Sequence, residues 1–442
     1  MSALANSALL NDRTFGYLIF GINNRTFEPL GTSFSPNTQK VGNQHLEAWL
    51  TQKIRPKNFA FYHLEIEQKK IVIVEIPAAT DKPVQFDGKE FIRVGQTTHN
   101  LKDYPEKERQ IWTKRTDFEM SIAKASLSTD EVLELLDYTK YLELTSQSIT
   151  QEKESIIEKL QQDKLIVKSR GKYSVTHLGA ILFARDITKF DRLKNKSPRV
   201  IIYEGKNKLN ASKDIQGIKG YAVAFEDLIQ FVRNQLPSKE KTEVKREIEE
   251  TYSLLMLREL IANALIHQDF TISGMRVLIE VYEDRIEISN PGKPIIETLR
   301  FIDHSPRSRN EELTSFMRRI NLCEERGVGI DRVVSECEKY NLPAPEFSNE
   351  ESSTKVIIFS HRPLAALSKE DRIRACFQHC CLKWIENDFM SNMTLRERLK
   401  IPDTNYPMVS RIIKDTIEAG LIKIKDPSNR SNRDRRYVPT WA

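Results

Sequence analysis

A carboxylate and an amide four residues apart form the first chemically useful pair in this chain. Glu259 and Asn263 stand in LRELIANALIHQDF, residues 257–270. On a helix that spacing puts both on one face. Beside a triphosphate, the carboxylate could orient or deprotonate a water. The amide oxygen could ligate Mg²⁺, a hard ion that takes oxygen donors. His267 lies one turn further on the same face and could touch a phosphate, and Asp269, just past the helix, could cap or coordinate. The stretch MRVLIEVYEDRIEISN reads as two strands around a turn at Glu283-Asp284. It ends in the turn Asn290-Pro291-Gly292, which places an amide where an adenine amino group can be read. In SPRSRN, Arg309 is a candidate phosphate contact, or else a partner for Glu311 or Glu312. Gly327 and Gly329 then precede a helical pattern at Ile330, Val333 and Val334. Glycines before a helix let backbone N–H groups approach phosphate, and the helix start favours an anion. Each feature alone is ordinary: an exposed i,i+4 pair, a turn, two glycines before a helix. Their order along one chain is what points to a nucleotide site.

That order resembles the GHKL (Bergerat-fold) ATPases, the superfamily of gyrase, histidine kinase and mismatch-repair ATP modules. The likeness is greatest to a divergent branch of bacterial proteins described as putative transcriptional regulators or as related to a RecG-type helicase. The resemblance implies a first ATP box at Glu259 and Asn263, an adenine box at Asn290 and Gly292, and a lid box at Gly327 and Gly329. Arg309 and Asn310 resemble a branch motif that precedes the lid. The superfamily's Asp-x-Gly-x-Gly is replaced by Asn290-Pro291-Gly292-Lys293-Pro294. An Asn can accept from the adenine amino group, and it can also donate to a different base edge.

The chain has 442 residues, 39% hydrophobic and 29% charged, with a formal net charge of +6. That length suits about three domains. No apolar run approaches the roughly 18 residues of a membrane span, and the start has no basic n-region of a signal peptide. The five cysteines have no zinc-site spacing. They read as buried or incidental thiols of a reducing cytoplasm. The mild positive charge permits nucleic acid as a partner without requiring it.

Residues 1–115 read as a small α/β unit. GYLIFGI is a strand, HLEAWLTQKI a helix with Leu46, Trp49, Leu50 and Ile54 at helical spacing, and FAFYHLEIEQKKIVIVEIPAA two strands. KEFIRVGQTTHNL reads as one more strand, and Pro105 opens a helix. The pattern resembles the Schlafen-type AlbA domain. That resemblance implies RNA as a possible partner and acidic metal ligands on a first helix. The helix belongs before Met1, so the chain is expected to begin inside the domain, at a helix end equivalent to SALANSALL. Asp12 is the single acidic residue of this opening and reads as a turn residue. Nuclease chemistry is therefore disfavoured. A folding and dimerisation module and a nucleic-acid-binding module both remain open.

Residues 116–198 have the helix–helix–wing spacing of a winged helix, with the wing at Arg170-Gly171. Acidic residues at 152, 154, 158 and 163 would repel a phosphate backbone, which favours a structural joint. His177 reads as a packing histidine. Residues 199–362 form the nucleotide fold. FEDLIQFVRNQLP is a helix ended by Pro237, and SKEKTEVKREIEETY a solvated strand or linker. Residues 365–442 form a second winged-helix candidate. Its third helix has Val409, Ile412, Ile413, Ile417 and Leu421 at core spacing and Gly420 as the stop. Asn405, Ser410, Arg411 and Lys414 fall on its outer face, residue types that read bases or hold phosphates. The tail carries Lys423, Lys425, Arg430, Arg433, Arg435 and Arg436, a basic wing.

The expectation is an α+β multidomain protein: an AlbA-like α/β domain, a GHKL α/β sandwich and winged-helix domains. ATP and Mg²⁺ are the expected cofactors and duplex DNA the expected partner. A homodimer follows by analogy with GHKL modules. A regulator is the first reading. An ATPase effector acting on nucleic acid in mobile-element or phage defence, and an inert structural adaptor, are the alternatives. The absence of GxxxxGK[ST] excludes a P-loop helicase, and no phosphoacceptor-His helix suggests a kinase.

Overall fold

Small residues let the first helix, α1 (Ser2–Leu10), lie flat on a sheet. Ala3, Ala5, Ala8 and Leu9 are buried, together with Ser2 and Asn6. Asn6 is fully buried and fully used: it donates to the carbonyls of Val84 (3.0 Å) and Phe91 (2.8 Å) and accepts from Val84 N–H (2.7 Å). Such pairing offsets the cost of burying an amide. The structure is a computed structural model. It describes all residues except 12, 14, 56–58, 80–81, 114–117, 148–151, 170, 237–238, 241–247, 250–251, 306, 325–326 and 429–434. Asp12, Arg170, Pro237, Arg430 and Arg433, and most of the charged segment after Pro237, lie outside the described residues. The chain divides into two units, Met1–Phe118 and Glu119–Ala442.

In the first unit, β1 (Phe15–Phe20) precedes a short hairpin, β2 (Lys40–Val41) and β3 (Gln44–His45). Helix α2 (Leu46–Lys53) and β4 (Ile54–Arg55) follow, then β5 (Ala60–Ile66), β6 (Lys69–Pro77), β7 (Gln85–Phe86), β8 (Lys89–Val94), β9 (Thr97–Asn100) and α3 (Pro105–Thr113). Two antiparallel sheets form, β1-β6-β5 and β4-β7-β8-β9. Two expectations change. Ile54 leaves the helical series and pairs with Phe86 as a strand residue, because its side chain is needed in the core beside Val74 and Ile92. KEFIRVGQTTHNL is a hairpin of two strands, turning where Gly95 takes a positive φ of 57°.

The second unit opens with β10 (Ile122–Leu127), α4 (Thr129–Leu135), α5 (Tyr138–Leu144), α6 (Lys153–Gln162), β11 (Ile166–Ser169), β12 (Lys172–Thr176) and α7 (His177–Phe183). His177 is buried, with Nδ1 at 2.9 Å from Ser121 Oγ, and burial pushes its pKa down to about 4. It is a packing histidine. Next come β13 (Arg199–Tyr203), β14 (Ala211–Gln216), α8 (Tyr221–Arg233), a short pair β15 (Lys239–Glu240) and β16 (Ile248–Glu249), and α9 (Leu254–His267). Strands β17 (Leu278–Val281) and β18 (Arg285–Pro291) form the expected hairpin. Asn290 and Pro291 extend β18 instead of forming a turn, pairing with Thr354 and Ser353. Helices α10 (Glu311–Arg319) and α11 (Gly329–Lys339), then β19 (Glu346–Asn349) and β20 (Ser353–Phe359), complete a six-stranded sheet of order β14-β13-β17-β18-β20-β19. Helix α9 packs on β18 and touches both α8 and α11. The acidic residue Asp163 does not face solvent alone: it takes a two-pronged grip from Arg319 of α10 (2.8 and 2.7 Å). Glu119 caps the start of α10, accepting from Leu313 N–H at 2.5 Å.

The C-terminal segment is α12 (Lys369–Ile385), α13 (Asn392–Arg398), α14 (Tyr406–Glu418), β21 (Ile422–Ile424) and β22 (Tyr437–Pro439), three helices before a hairpin. Its apolar core runs on into Val334 of α11, Ile302 and Ala344. Ile417 departs from expectation: it is exposed, because the buried stripe of α14 is the narrower one of Val409, Ile412, Ile413 and Thr416. Gly420 ends the helix at φ 72° as expected.

Asp331, in the first turn of α11, is half-buried, and burial together with nearby Asp303 pushes its carboxyl up to about 7. Asp303 is itself held by Arg300. An unfolded Asp titrates near roughly 3.9. The folded chain therefore favours neutral Asp331, and the stability it contributes is lost as pH rises from about 4 to about 7. Thermal melts of Asp331→Asn should show a higher midpoint than the wild type above pH 7 and no gain at pH 4. An equal midpoint difference at both pH values would contradict this.

Candidate functional site

Helix α9 is apolar around most of its circumference, with Met256, Leu257, Leu260, Ile261, Leu265 and Ile266 buried. Glu259, Asn263 and His267 form a polar stripe, spaced by one turn each, while Arg258 turns away to Glu226 at 2.6 Å. All three line a cavity of about 460 Å³, a size within the roughly 300–1,000 Å³ range of small-molecule sites. Ser253 caps the helix start through Met256 N–H at 3.3 Å. The Asn263 amide N–H donates to Glu259 Oε1 at 3.0 Å, which leaves the amide oxygen as an acceptor. Burial raises the Glu259 pKa, and Glu324 adds to the rise. His267 is pushed down to about 4, first by burial and then by Arg309 and Arg318. At neutral pH it offers a neutral imidazole and not a cation.

Of the two glycines expected to approach a ligand, Gly329 approaches a side chain. Gly329, buried at the start of α11, has no room for a Cβ: that atom would fall 1.7 Å from Glu259 Oε1. The carboxylate therefore sits against the start of α11, where helix geometry favours negative charge. Gly327, exposed at φ 74°, lines the same cavity. Glu325 and Arg326 lie outside the described residues.

Asn290 lines the cavity from the end of β18, and Thr354 stands beside it on β20. The Thr354 hydroxyl donates to the Gly292 carbonyl at 2.9 Å. Gly292, Asp269 and Arg309 are brought together, yet not onto the cavity wall. A Cβ on Gly292, whose φ is 101°, would meet Arg309 Nη1 at 2.0 Å and Asp269 Cβ at 2.8 Å. Arg309 donates to the carbonyls of Lys293 (2.8 Å) and His267 (3.4 Å) and lies 3.7 Å from Asp269. Neither Glu311 nor Glu312 takes it. The cause is the open carbonyls of Lys293 and, at the end of α9, His267, which a guanidinium satisfies. Asp269 accepts from Thr271 N–H (3.0 Å) as a local turn.

Sequence reading missed what several residues do. Asn310 donates to the carbonyls of Ile266 and Gln268, both at 2.8 Å, and closes the end of α9. Lys293, Arg307 and Arg318 bring positive charge to the cavity wall, against Glu259, Glu311 and Glu324. The basic pair in SPRSRN was visible, but its two arginines part ways: Arg307 lines the cavity and Arg309 does not. Cys323 also lines it, with burial pushing its thiol up to about 12. Among the described residues no cluster of three or more His, Cys, Asp or Glu could hold a metal. No helix among them is long and apolar enough to cross a membrane.

In the C-terminal segment Asn405, Ser410, Arg411 and Lys414 are all exposed on or beside α14. Ser410 accepts from Asn392, and Lys414 lies 3.7 Å from Glu418. Arg411 and Asn405 share a polar cleft of about 300 Å³ with Lys369, Arg372 and Asp415. Among the described cations of the basic wing, three have partners within the chain. Lys423 donates to the Ala442 carbonyl, Lys425 stacks on Phe389, and Arg435 is half-buried against Tyr437. Arg436 is exposed.

Two segments match known families. Residues 1–102 match the family model Schlafen, AlbA_2, and residues 274–358 match the model described as putative ATP-dependent DNA helicase recG C-terminal. Among curated proteins none matches. Among solved structures, the DIP2311 protein from Corynebacterium diphtheriae is 16% identical with a TM-score of 0.46. The match covers 99% of this chain and 85% of that one. The chain thus joins a segment similar to the Schlafen AlbA_2 family to one similar to the C-terminal part of putative RecG-type helicases.

Proposed function

We propose that this protein is an ATP-binding, DNA-binding regulator in which nucleotide in the α9–α11 cavity governs the C-terminal helices. The two family likenesses support nucleic-acid-related, ATP-binding work. The observation that carries the reading is the seat of Glu259 against Gly329. A phosphate approaching the start of α11 would compete with that carboxylate for the same backbone. Asn263 offers its amide oxygen as a hard donor beside that position. Mg²⁺, held by Asn263, would supply neutralisation of phosphate charge. A site completed by the nucleotide's own phosphates needs only one or two protein oxygens. Lys293, Arg307 and Arg318 would meet the remaining negative charge, and Asn290 with Thr354 would read the base edge.

Helix α11 links the cavity to the C-terminal helices. At its far end Glu338 receives His379 (3.0 Å) and Arg398 (3.1 Å), and Val334 enters the C-terminal core. A shift of α11 on nucleotide binding would reach α12 and α13 directly. A pair of copies would suit lid closure around nucleotide. The raised pKa of Glu259 favours a second reading, an ATPase, since a general base works best when its pKa approaches the working pH.

Calorimetry with and without Mg²⁺ should show Mg²⁺-dependent ATP binding that Asn263→Ala weakens about tenfold or more, roughly 1.4 kcal/mol. Equal affinities would remove Asn263 from the site. In Glu259→Gln, phosphate release should vanish while ATP binding persists. Turnover unchanged in that variant would take Glu259 out of the base role. A wild type that binds without turnover would leave the regulator reading standing alone. For duplex DNA, Arg411→Ala and Lys414→Ala should each lower the salt slope of binding by roughly one unit. Arg435→Ala should instead lower the melting midpoint and spare the slope. Fluorescence anisotropy across a salt series separates these, and unchanged slopes in both α14 variants would remove that face from DNA contact.

A further inference from the structure

One face of the β1-β6-β5 sheet is apolar and open. Cross-strand register places Phe15, Tyr17 and Ile19 of β1 on the same face as Ile73 of β6 and Tyr62, Leu64 and Ile66 of β5. The six edge-strand side chains are each 38–48% exposed. The opposite face carries Val72, Val74 and Ile76 into the core. Strands with one face in a core normally present polar residues on the other. The loop after β1 adds Phe27 at 77% and Leu30 at 63% exposure. It folds over the Ile71 end of the sheet, where Gly21 lies against the Ile71 side chain.

We propose that this face is a self-association surface, covered by the same face of a second copy of the chain. The inference rests on the two-copy part of the reading above and gives it a location. Three observations select this occupant. At roughly 150–250 Å² per large apolar side chain, the exposed fractions sum to roughly 700 Å². That exceeds the roughly 300–600 Å² of the largest patch on an ordinary monomer and approaches the roughly 800 Å² each partner gives to a stable interface. Charge on the strands is sparse: the half-buried Glu75 accepts from Tyr62 at 3.3 Å, and Lys69 is turned to the Pro29 carbonyl at 2.7 Å, while on the loop the exposed Arg25 and Glu28 flank Phe27 with opposite signs. A nucleic-acid backbone would call for free cations on this face. Two identical faces whose few charges are of both signs meet with little like-charge repulsion, and a two-fold pair of sheets stacks with alternate side chains interleaved.

Sedimentation of the full chain over a concentration series tests this, with Ile19→Glu/Leu64→Glu as the variant. The wild type should form a dimer, and the variant should dissociate roughly 30-fold or more readily while keeping its melting midpoint and its ATP affinity. Should the double variant misfold, Leu64→Cys with a short bis-maleimide linker gives a second measurement, and linked pairs of copies are expected. A monomeric wild type overturns both this surface and the two-copy reading. A dimer that survives the double variant, with no linked pairs through Leu64→Cys, overturns the surface alone. Leu64→Cys shielded from maleimide in a monomer means that the same chain covers the face, and also overturns it. Loss of RNA binding by the double variant, with no change in mass, assigns the face to nucleic acid and does the same.

Discussion

The close approach of Gly329 to Glu259 is the constraint on which the cavity depends. Any side chain at position 329 would occupy the space of the carboxylate. Helix α11 can therefore begin where it does only with a glycine, and α9 can present a carboxylate there only because that glycine leaves room. Glu259 is buried enough for its charge to be costly, and the start of α11 with the Asn263 amide is what compensates it. The polar centre of the cavity and the placement of α11 are thus one problem with one solution.

Around that contact the end of α9 is fixed from behind. Asn310 and Arg309 satisfy the carbonyls of Ile266, His267 and Gln268 that the helix leaves open. Gly292 makes room for the guanidinium. These groups hold His267 and Asn290 at the cavity without lining it themselves, apart from the neighbouring Arg307. On the far face of the same sheet, Glu280 and Glu287 stand directly opposite each other and are buried. Like charges across a ladder repel, and Lys208 and Arg285, each at 2.7 Å from its own Glu, offset that repulsion. The sheet that carries Asn290 is therefore braced on both sides.

Periodicity made the helical stripe Glu259–Asn263–His267 legible, because a residue every turn needs no tertiary information. The β17–β18 hairpin was legible for the same kind of reason. What could not be read were partners that leave no sequence signature. Arg309 binds backbone carbonyls, and carbonyls are the same in every residue. Gly329 was legible as a glycine before a helix, but the atom that requires it belongs to a helix some seventy positions earlier. Ile417 and Ile54 fit a helical series by spacing, and the packing surface decided against both. The acidic face of α6 read as a repellent to DNA. Asp163 at its end is bound to Arg319, so its charge serves the joint with α10.

A helix that reports on a ligand must differ in its contacts between two states. The two ends of α11 differ in how firmly they are held. At its C-terminal end Glu338 is bound by a buried histidine and a buried arginine, and removing one partner of such a network costs roughly 3–5 kcal/mol. At its N-terminal end stand a carboxylate against a glycine, Asp331 whose carboxyl is costly to charge, the solvent-exposed Arg332 paired with Glu324, and an exposed Gly327. Under the proposed function, displacement of Glu259 would release the weaker end while Glu338 keeps the stronger one. The helix would then turn about its C-terminal anchor, and the side chains in its middle, Val333 and Val334, would carry the motion. Val334 lies in the core shared with α12 and α14. Such a core is close-packed and does not yield gradually, so a small rotation at the cavity would arrive at α14 as a change of seat.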